Sequence, residues 1–364
     1  MKKDNTKDVL RKQGNRISEG LTIGVDLGDR TSRYCVVDPS GEELWDGSVS
    51  TTGKGLQGVW GSLGRSRVVM EVGTHSPWVS RLLEEQGHEV IVANARRVRL
   101  ITESSGKNDR LDARMLARLG RMDPELLSPI RHRSAKAQGH LMLIRGRAVL
   151  VEMRTKVVNA ARGLAKSTGK RLPKCAARRM GPEVVREMED NLALALKPLL
   201  AAVEWLSERI GEYDRQIEEL AKKEYPEVGR LQQVAGVGTL IALTFVLTLE
   251  DPQRFQRSRD VGCYLGLRPR QRESGERAPE LRITKEGDRY LRMLLVQGAH
   301  YIMGPFGPDT DLRRWGLQLA GRGGKNAKKR AVVAVARKLA ILLHHLWVSG
   351  EQYQPLRGQA AAAA

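Results

Sequence analysis

The feature that most constrains the fold is the order of short apolar runs over residues 21–94. From Leu21 the sequence reads LTIGVDLGDRTSRYCVVDPSGEELWDGSVST, in which β-branched runs are separated by Gly-Asp and Pro-Ser-Gly turn signals. This pattern predicts three consecutive antiparallel strands. A short amphipathic stretch at Leu56–Leu63 follows. The next segments, RVVMEVG, PWVSRLLEEQG and HEVIVAN, predict strand, helix and strand.

A further helix is predicted later in the chain, in KNDRLDARMLARLGRM. Its apolar residues recur at helical spacing, and we expect them to pack against the sheet: Leu111, Met115, Leu116 and Leu119. The complete order predicts an α/β domain with a ribonuclease-H-like mixed sheet. We assign residues 21–130 to this domain. Residues 1–20 are basic, lack the apolar run of a secretory signal and are predicted to form a flexible arm.

The remainder of the chain is predicted to be helical. Residues 131–228 show long helical periodicity, which is typical of a helical hairpin or a coiled-coil dimerisation arm; a solvated helical spacer is the alternative. Residues 229–350 are predicted to form a mostly helical C-terminal domain. The low-complexity residues 351–364 are predicted to form a disordered tail.

The charge balance indicates the class of partner. The 364 residues include 62 Lys and Arg against 42 Asp and Glu, a formal net charge of +20. Such an excess repels itself in a compact protein unless a polyanion neutralises it, so we expect a nucleic acid partner. No stretch approaches the roughly 18–20 uninterrupted apolar residues of a membrane span, so no membrane partner is expected. The cysteines, Cys35, Cys175 and Cys263, lack disulfide or zinc spacing, which fits a reducing cytoplasm.

Four acidic residues occupy positions from which they can converge. Asp26 lies in the first predicted strand, and Glu71 ends the fourth, which neighbours the first in this topology. Asp109 and Asp112 stand at i and i+3 near the start of a helix, where negative charge suits the helix dipole. Converging carboxylates repel one another unless a divalent cation binds, and hard oxygen ligands select Mg²⁺ or Mn²⁺. The set predicts displacement chemistry at a phosphodiester, although each acid alone also fits a plain turn or helix-start role.

A glycine-containing turn suggests a second kind of nucleic-acid contact. The segment LQQVAGVGTLIALTFVLTLED is similar to a helix-hairpin-helix, in which turn amides and a helix start hold a DNA phosphate. Gly236 and Gly238 are the candidate residues there, although glycine also simply permits a tight turn.

Basic residues are candidates for phosphate contacts, each alone being more often a solvated surface charge: Lys107, Arg110, Arg272, Lys285, Arg289, Arg292, Lys325, Lys328, Lys329 and Arg330. Because the chain has only three Phe, we do not expect base stacking on aromatic side chains.

Taken as a set, these motifs resemble one family. IGVDLG with Asp26, MEVG with Glu71, and KNDRLDARMLARL with Asp109 and Asp112 resemble the DEDD, RuvC-like domain of insertion-sequence-110-type transposases. VAGVGTLIALTFVLTLEDPQRF, CYLGLRPRQRESG and ITKEGDRYLRMLLVQGAH resemble the C-terminal transposase domain of that family, in the same order.

The resemblance implies a transposase that cuts and rejoins DNA. It implies that Ser274, the serine of RQRESG, is a nucleophile that forms a phosphoserine link, with metal ions held by the four acids. It also implies a structured guide RNA, or bridge RNA, that pairs with donor and target DNA. A homodimer, and a tetramer at synapsis, would bring the acids of one subunit to the serine of another.

Three alternatives stay open at this point. IGVDLGDRT is also similar to the first phosphate loop of actin-like ATPases and sugar kinases, but a second phosphate loop and an adenosine motif are not found. A nucleic-acid-binding scaffold with a decayed nuclease fold would be expected to lose an acid or the serine, whereas all five are present. A junction resolvase would share the acids and use water, without requiring the serine domain.

Overall fold

The computed structural model describes residues 20–61, 63–94, 109–186, 190–271 and 281–357. The chain divides into two compact units, Met1–Ala135 and Lys136–Ala364.

The first unit is built on a five-stranded mixed sheet. Its strands are β1 (Thr22–Asp26), β2 (Thr31–Val37), β3 (Glu43–Ser50), β4 (Arg67–Glu71) and β5 (Glu89–Ala93), in the spatial order β3-β2-β1-β4-β5. β1, β2 and β3 form an antiparallel meander, whereas β4 lies parallel to both β1 and β5. The predicted strand order is confirmed, and the sheet is consistent with the predicted RuvC-like α/β fold.

Helices cover both faces of this sheet. α1 (Gly53–Trp60) and α2 (Ser76–Glu85) pack on the face that carries Ile23, Val25 and Met70. The alternate residues of the same strands, including Cys35 and Val69, contact α3 (Asp109–Met122) on the opposite face.

The packing face of α3 differs in part from the predicted one. Leu116 is buried as expected, but Leu111 and Met115 are exposed. Small residues occupy the other buried positions, namely Ala113, Ala117 and Gly120. The reason is the close approach of α3 to β1: a Cβ atom on Gly24 would lie 2.0 Å from the carbonyl oxygen of Ala113. Larger side chains at the helix positions that lie directly over β1 would not fit at this distance, whereas Leu116 packs toward β4 and β5.

The second unit begins with two long helices, α4 (Ala135–Ser167) and α5 (Asp190–Glu224). They are antiparallel, since Arg147 bonds to Asp214 and, seven residues further along α4, Arg154 donates to Ser207 Oγ at 3.1 Å. The predicted helical hairpin is therefore confirmed. Its role as a dimerisation arm stays a prediction.

Six more helices complete the described part of the second unit: α6 (Glu227–Leu231), α7 (Thr239–Leu249), α8 (Ser258–Tyr264), α9 (Arg289–Met303), α10 (Asp311–Gly321) and α11 (Ala327–Ser349). They share one hydrophobic core with the near end of the α4–α5 hairpin. Within the described ranges, α11 alone is long and apolar enough to cross a membrane by length and composition. Half of its most apolar window is buried inside the protein, where Val335, Leu339 and Leu343 belong to the core.

Candidate active site

The ends of two neighbouring strands bring the first two predicted acids together. β1 and β4 are parallel and pair Val25 with Met70, so the next residues, Asp26 and Glu71, occupy adjacent positions at the carboxyl edge of the sheet. Side chains alternate between the faces of a strand, and Gly24, two residues before Asp26, faces α3. Both acids therefore project toward the face that α3 covers. Both are partly buried.

The first turn of α3 carries the other two acids toward the same edge. Near the end of the helix, Gly120 accepts a hydrogen bond at 3.0 Å from Arg67 Nη1, at the amino end of β4. Near its start, Ala113 lies over the middle of β1. The helix thus runs back along the strands, with Asp109 and Asp112 toward their carboxyl ends. Asp109 is exposed and Asp112 is partly buried.

The donor chemistry of these four acids is the kind that a divalent metal ion prefers. The four predicted ligands share one sheet edge, and their oxygen donors suit Mg²⁺ or Mn²⁺. In the part of the chain that the structure describes, however, no three acidic, histidine or cysteine side chains are grouped closely enough to hold one ion. The metal assignment therefore stays a prediction.

Two arginines bind the start of α3 to the outer strand β3. Arg114 lies 2.6 Å from a carboxylate oxygen of Glu43, and Arg110 contacts the carboxylate of Asp46. The Arg110 side chain, predicted to contact phosphate, is 56% exposed, so its ion pair stabilises the protein only slightly. The phosphate contact of Arg110 stays a prediction, but its charge is already partly neutralised by Asp46.

Two histidines near the acids were not singled out from the sequence. Trp78 Nε1 donates to His75 Nδ1 at 3.0 Å, and His75 Nε2 lies 3.5 Å from Asp29 Oδ1. This contact links the loops that follow Asp26 and Glu71. Only the position of His75 shortly after Glu71 could have indicated it.

His132 shares a 2.9 Å hydrogen bond with Ser76, which begins α2. Burial, together with Arg81 and Arg133, lowers the pKa of His132 below its ordinary value. The ring therefore favours its neutral form in the folded protein.

The predicted nucleophile Ser274 and the neighbouring Arg272 lie outside the described residues. The flanks of this segment are described and form a short two-stranded ladder, in which Pro269 pairs with Ile283. Backbone hydrogen bonds of 3.0 and 2.9 Å join residues 270 to 282 and 284 to 268. The ladder places the two ends of the serine segment side by side.

Arg292 anchors the base of that ladder. Its side chain lies inside the second unit, with the residue only 9% exposed, and Nη1 donates to the carbonyl oxygens of Leu265 at 2.9 Å and Glu286 at 2.5 Å. A phosphate contact needs a guanidinium at the surface. The guanidinium of Arg292 is instead buried and directed at backbone carbonyls.

The other predicted basic residues fall into two groups. Lys107 lies outside the described residues, and the remainder are exposed: Lys285, Arg289, Lys325, Lys328, Lys329 and Arg330. The last four lie at the start of α11 and directly before it. Exposure leaves them accessible to phosphate, and that role stays a prediction.

The glycine turn between α6 and α7 packs directly on α9. Gly236 has a φ of +82°, and a Cβ atom on it would lie 3.0 Å from the carbonyl oxygen of Gly298. Gly238 is the residue at which α7 begins, and no side chain caps that helix start. Two helices joined by a glycine turn are therefore present, while the helix-hairpin-helix assignment and phosphate binding by the turn stay predictions.

A mixed sheet of this order, with acids at its carboxyl edge, is consistent with the RuvC-like class of nucleic-acid enzymes. Residues 23–169 match the DEDD transposase family model of the IS110 type, and residues 228–311 match the model described as transposase IS116/IS110/IS902 family. The chain belongs to the IS110-type transposase family. It is therefore a DNA-recombining enzyme, and DNA is its substrate.

Several curated transposases are similar over most of their length. The transposase for insertion sequence element IS1111A of Coxiella burnetii is 28% identical over 354 residues, which cover 95% of this chain and 94% of that protein. The transposase for insertion sequence element IS1328 of Yersinia enterocolitica is 31% identical over 242 residues, 65% and 70% of the two chains. A probable family 20 transposase of Pseudomonas aeruginosa is 29% identical over 300 residues, 79% and 86% of the two chains.

Proposed function

We propose that this transposase cuts and rejoins DNA through a covalent phosphoserine intermediate at Ser274, assisted by the carboxylates of Asp26, Glu71, Asp109 and Asp112. The observation that carries this proposal is the in-register end of β1 and β4, which puts Asp26 beside Glu71 where α3 begins. Four carboxylates near one sheet edge repel one another unless positive charge lies among them, which supports a cation at this edge.

The proposed reaction is a reversible exchange at phosphorus. The Oγ atom of Ser274 loses its proton and bonds to the scissile phosphorus as the bond from phosphorus to the 3′ oxygen breaks, and the 3′ oxygen takes up a proton. In the joining step a 3′ hydroxyl attacks the phosphoserine and loses its proton, and the serine hydroxyl is restored. A serine hydroxyl is a weak nucleophile near neutral pH and needs activation. A bound Mg²⁺ or Mn²⁺ would polarise the phosphate and stabilise the leaving oxygen.

The four acids would hold that cation, each from a fixed position. Asp26 and Glu71 are set by strand pairing, while the close packing of α3 on Gly24 and the ion pair of Arg114 with Glu43 position the start of α3. Such positioning matters because a misplacement of about 1 Å at a reacting group costs on the order of 100-fold in rate.

We further propose that a structured guide RNA selects donor and target DNA, and that the enzyme acts as a homodimer that pairs into a tetramer at synapsis. The formal charge of +20 supports binding of a second polyanion besides DNA. On α5, the side chains of Leu194 and Trp205 are 75% and 56% exposed, which supports a protein contact on the hairpin.

The test is a cleavage assay on DNA of the element's ends or junction, with the flanking RNA and Mg²⁺, followed by a denaturing gel that detects covalent protein–DNA adducts. Wild type is compared with Ser274→Ala and Asp26→Asn. Ser167→Ala and Glu84→Gln are matched controls, because both residues are exposed, both lie in the last turn of a helix, and neither is among the proposed site residues. We expect an adduct in wild type and both controls and none in the two site variants.

The second candidate is a nuclease that uses water as the nucleophile. All four acids belong to the first unit, whereas the segment that contains Ser274 belongs to the second unit. This candidate predicts that Ser274→Ala still cuts DNA with Mg²⁺ while Asp26→Asn does not. That result would refute the phosphoserine intermediate.

A further inference from the structure

Phe306 has the most exposed large apolar side chain in the described ranges, at 83%. It lies in the loop that joins α9 to α10. The other two Phe of the chain, Phe245 and Phe255, pack in or against the core of the second unit. An aromatic ring exposed to this extent presents a large apolar face to solvent, and aromatic residues are enriched at binding surfaces.

The loop that presents Phe306 is held firmly by hydrogen bonds. The amide of Gly307 donates to the Gly304 carbonyl at 3.3 Å, and Arg313 Nη1 donates to the carbonyls of Gly304 and, at 2.6 Å, Ile302. A Cβ atom on Gly307 would lie 2.3 Å from the Ile302 oxygen, so the turn depends on glycine. The backbone therefore fixes the outward position of Phe306 before any partner binds.

A depression of about 460 Å³ adjoins this loop. It is lined by residues from three segments, including Gly236, Gly238, Gln297, Tyr301 and Pro308. Tyr301 and Pro308 stand on either side of Phe306 in the sequence, so the loop forms one rim. The volume lies within the roughly 300–1,000 Å³ of small-ligand clefts and can hold one flat ring system. The Tyr301 side chain is 48% exposed and offers a second aromatic surface.

The charges near this depression suit a polyanion. α9, which contributes Tyr301 to the rim, carries no acidic residue, and its His300 is exposed beside Tyr301. Asp309, which follows Pro308 in the sequence, is bonded to Arg314, with Nε 2.9 Å from Oδ1.

We infer that Phe306 and Tyr301 form a stacking platform for an unpaired base of the DNA substrate, with that base seated in the depression beside the glycine turn. Base–aromatic stacking tolerates any base, because every base has a flat face, so the platform would hold a strand opened for exchange without reading its sequence. The composition of the chain predicted no aromatic stacking. Stacking at this one place departs from that expectation, because Phe306 and Tyr301 are five residues apart and both exposed.

The test measures binding of short single-stranded DNA of mixed sequence that carries one 2-aminopurine, by anisotropy and by fluorescence quenching. Phe306→Ala is expected to weaken binding about 5- to 150-fold and to reduce the quenching. Phe306→Trp is expected to bind like wild type, and Phe306→Leu to resemble Phe306→Ala. Leu317→Ala, at an exposed apolar position on α10, is the matched control and is expected to bind normally.

Four outcomes would overturn the inference. Phe306→Ala could bind DNA like wild type, or Phe306→Leu could restore full binding, which would indicate apolar contact without stacking. A change in the oligomeric state of Phe306→Ala without nucleic acid would assign the surface to a second copy of the chain. Weaker binding of RNA alone would assign it to RNA. Repeating the measurement in the Ser274→Ala background separates this inference from the proposed nucleophile, because stacking requires no covalent step.

Discussion

The contact between Gly24 and α3 makes a quantitative prediction about the active site. A Cβ atom at Gly24 would lie 2.0 Å from the Ala113 carbonyl oxygen and 2.4 Å from the Ala117 amide nitrogen. Both neighbours are backbone atoms, so no side-chain rotation relieves the overlap. Ordinary contact begins near 3.4 Å, so α3 would have to move by about 1.4 Å. Gly24→Ala is expected to cost roughly 1–3 kcal/mol of unfolding free energy, as overpacked cores do.

The same movement shifts the helix start that carries Asp109 and Asp112. A misplacement of about 1 Å costs on the order of 100-fold in rate, so the cleavage rate of folded Gly24→Ala should fall by that order. Urea unfolding gives the stability, and single-turnover cleavage below the unfolding transition gives the rate. Gly58→Ala is the control, since nothing lies within 4 Å of its Cβ position and alanine favours the helix. A Gly24→Ala protein as stable and active as wild type would refute the close packing of α3 on β1.

Three further predictions follow from buried polar groups. Arg292→Met leaves backbone carbonyls without their donor and should cost roughly 1.5–3 kcal/mol in urea unfolding; a change below about 0.5 kcal/mol would contradict the anchoring role. Burial lowers the pKa of His88 and His132 below the ordinary 6.5, so the unfolded chain binds more protons. The free energy of unfolding should therefore have its full value above about pH 6.5 and decrease as the pH falls below that value. His88→Gln should make this pH dependence weaker. Burial, and to a lesser extent the negative charge of Glu43, raises the pKa of the Cys35 thiol to about 11. At about pH 8 a disulfide reagent should therefore modify Cys35 only after unfolding, and later than the two other cysteines, which are less buried.

Most of the first unit could be derived from local pattern. The strands of the meander and the helix after β4 follow from alternation, turn residues and helical spacing, which act over a few residues. The four acids could also be located, because each stands at the end of a strand or the start of a helix. The inward face of α3 was predicted less well, since its apolar pattern favoured Leu111 and Met115, whereas the contact with Gly24 admits only small side chains.

Side-chain roles that depend on distant partners could not be derived from local pattern. Arg292 has the sequence context of a surface arginine, yet the backbone carbonyls that bind it come from elsewhere in the unit. His75 acquires its partner Asp29 only because β1 and β4 are neighbours in the sheet.

Fold class, charge and the positions of the acids thus follow from the sequence, because each depends on residue type and short-range spacing. The exposure of Phe306, the burial of Arg292 and the approach of α3 to β1 arise only in the folded chain. The physical reason is that burial and hydrogen bonding are set by the surfaces that pack together, and those surfaces come from segments far apart in the sequence.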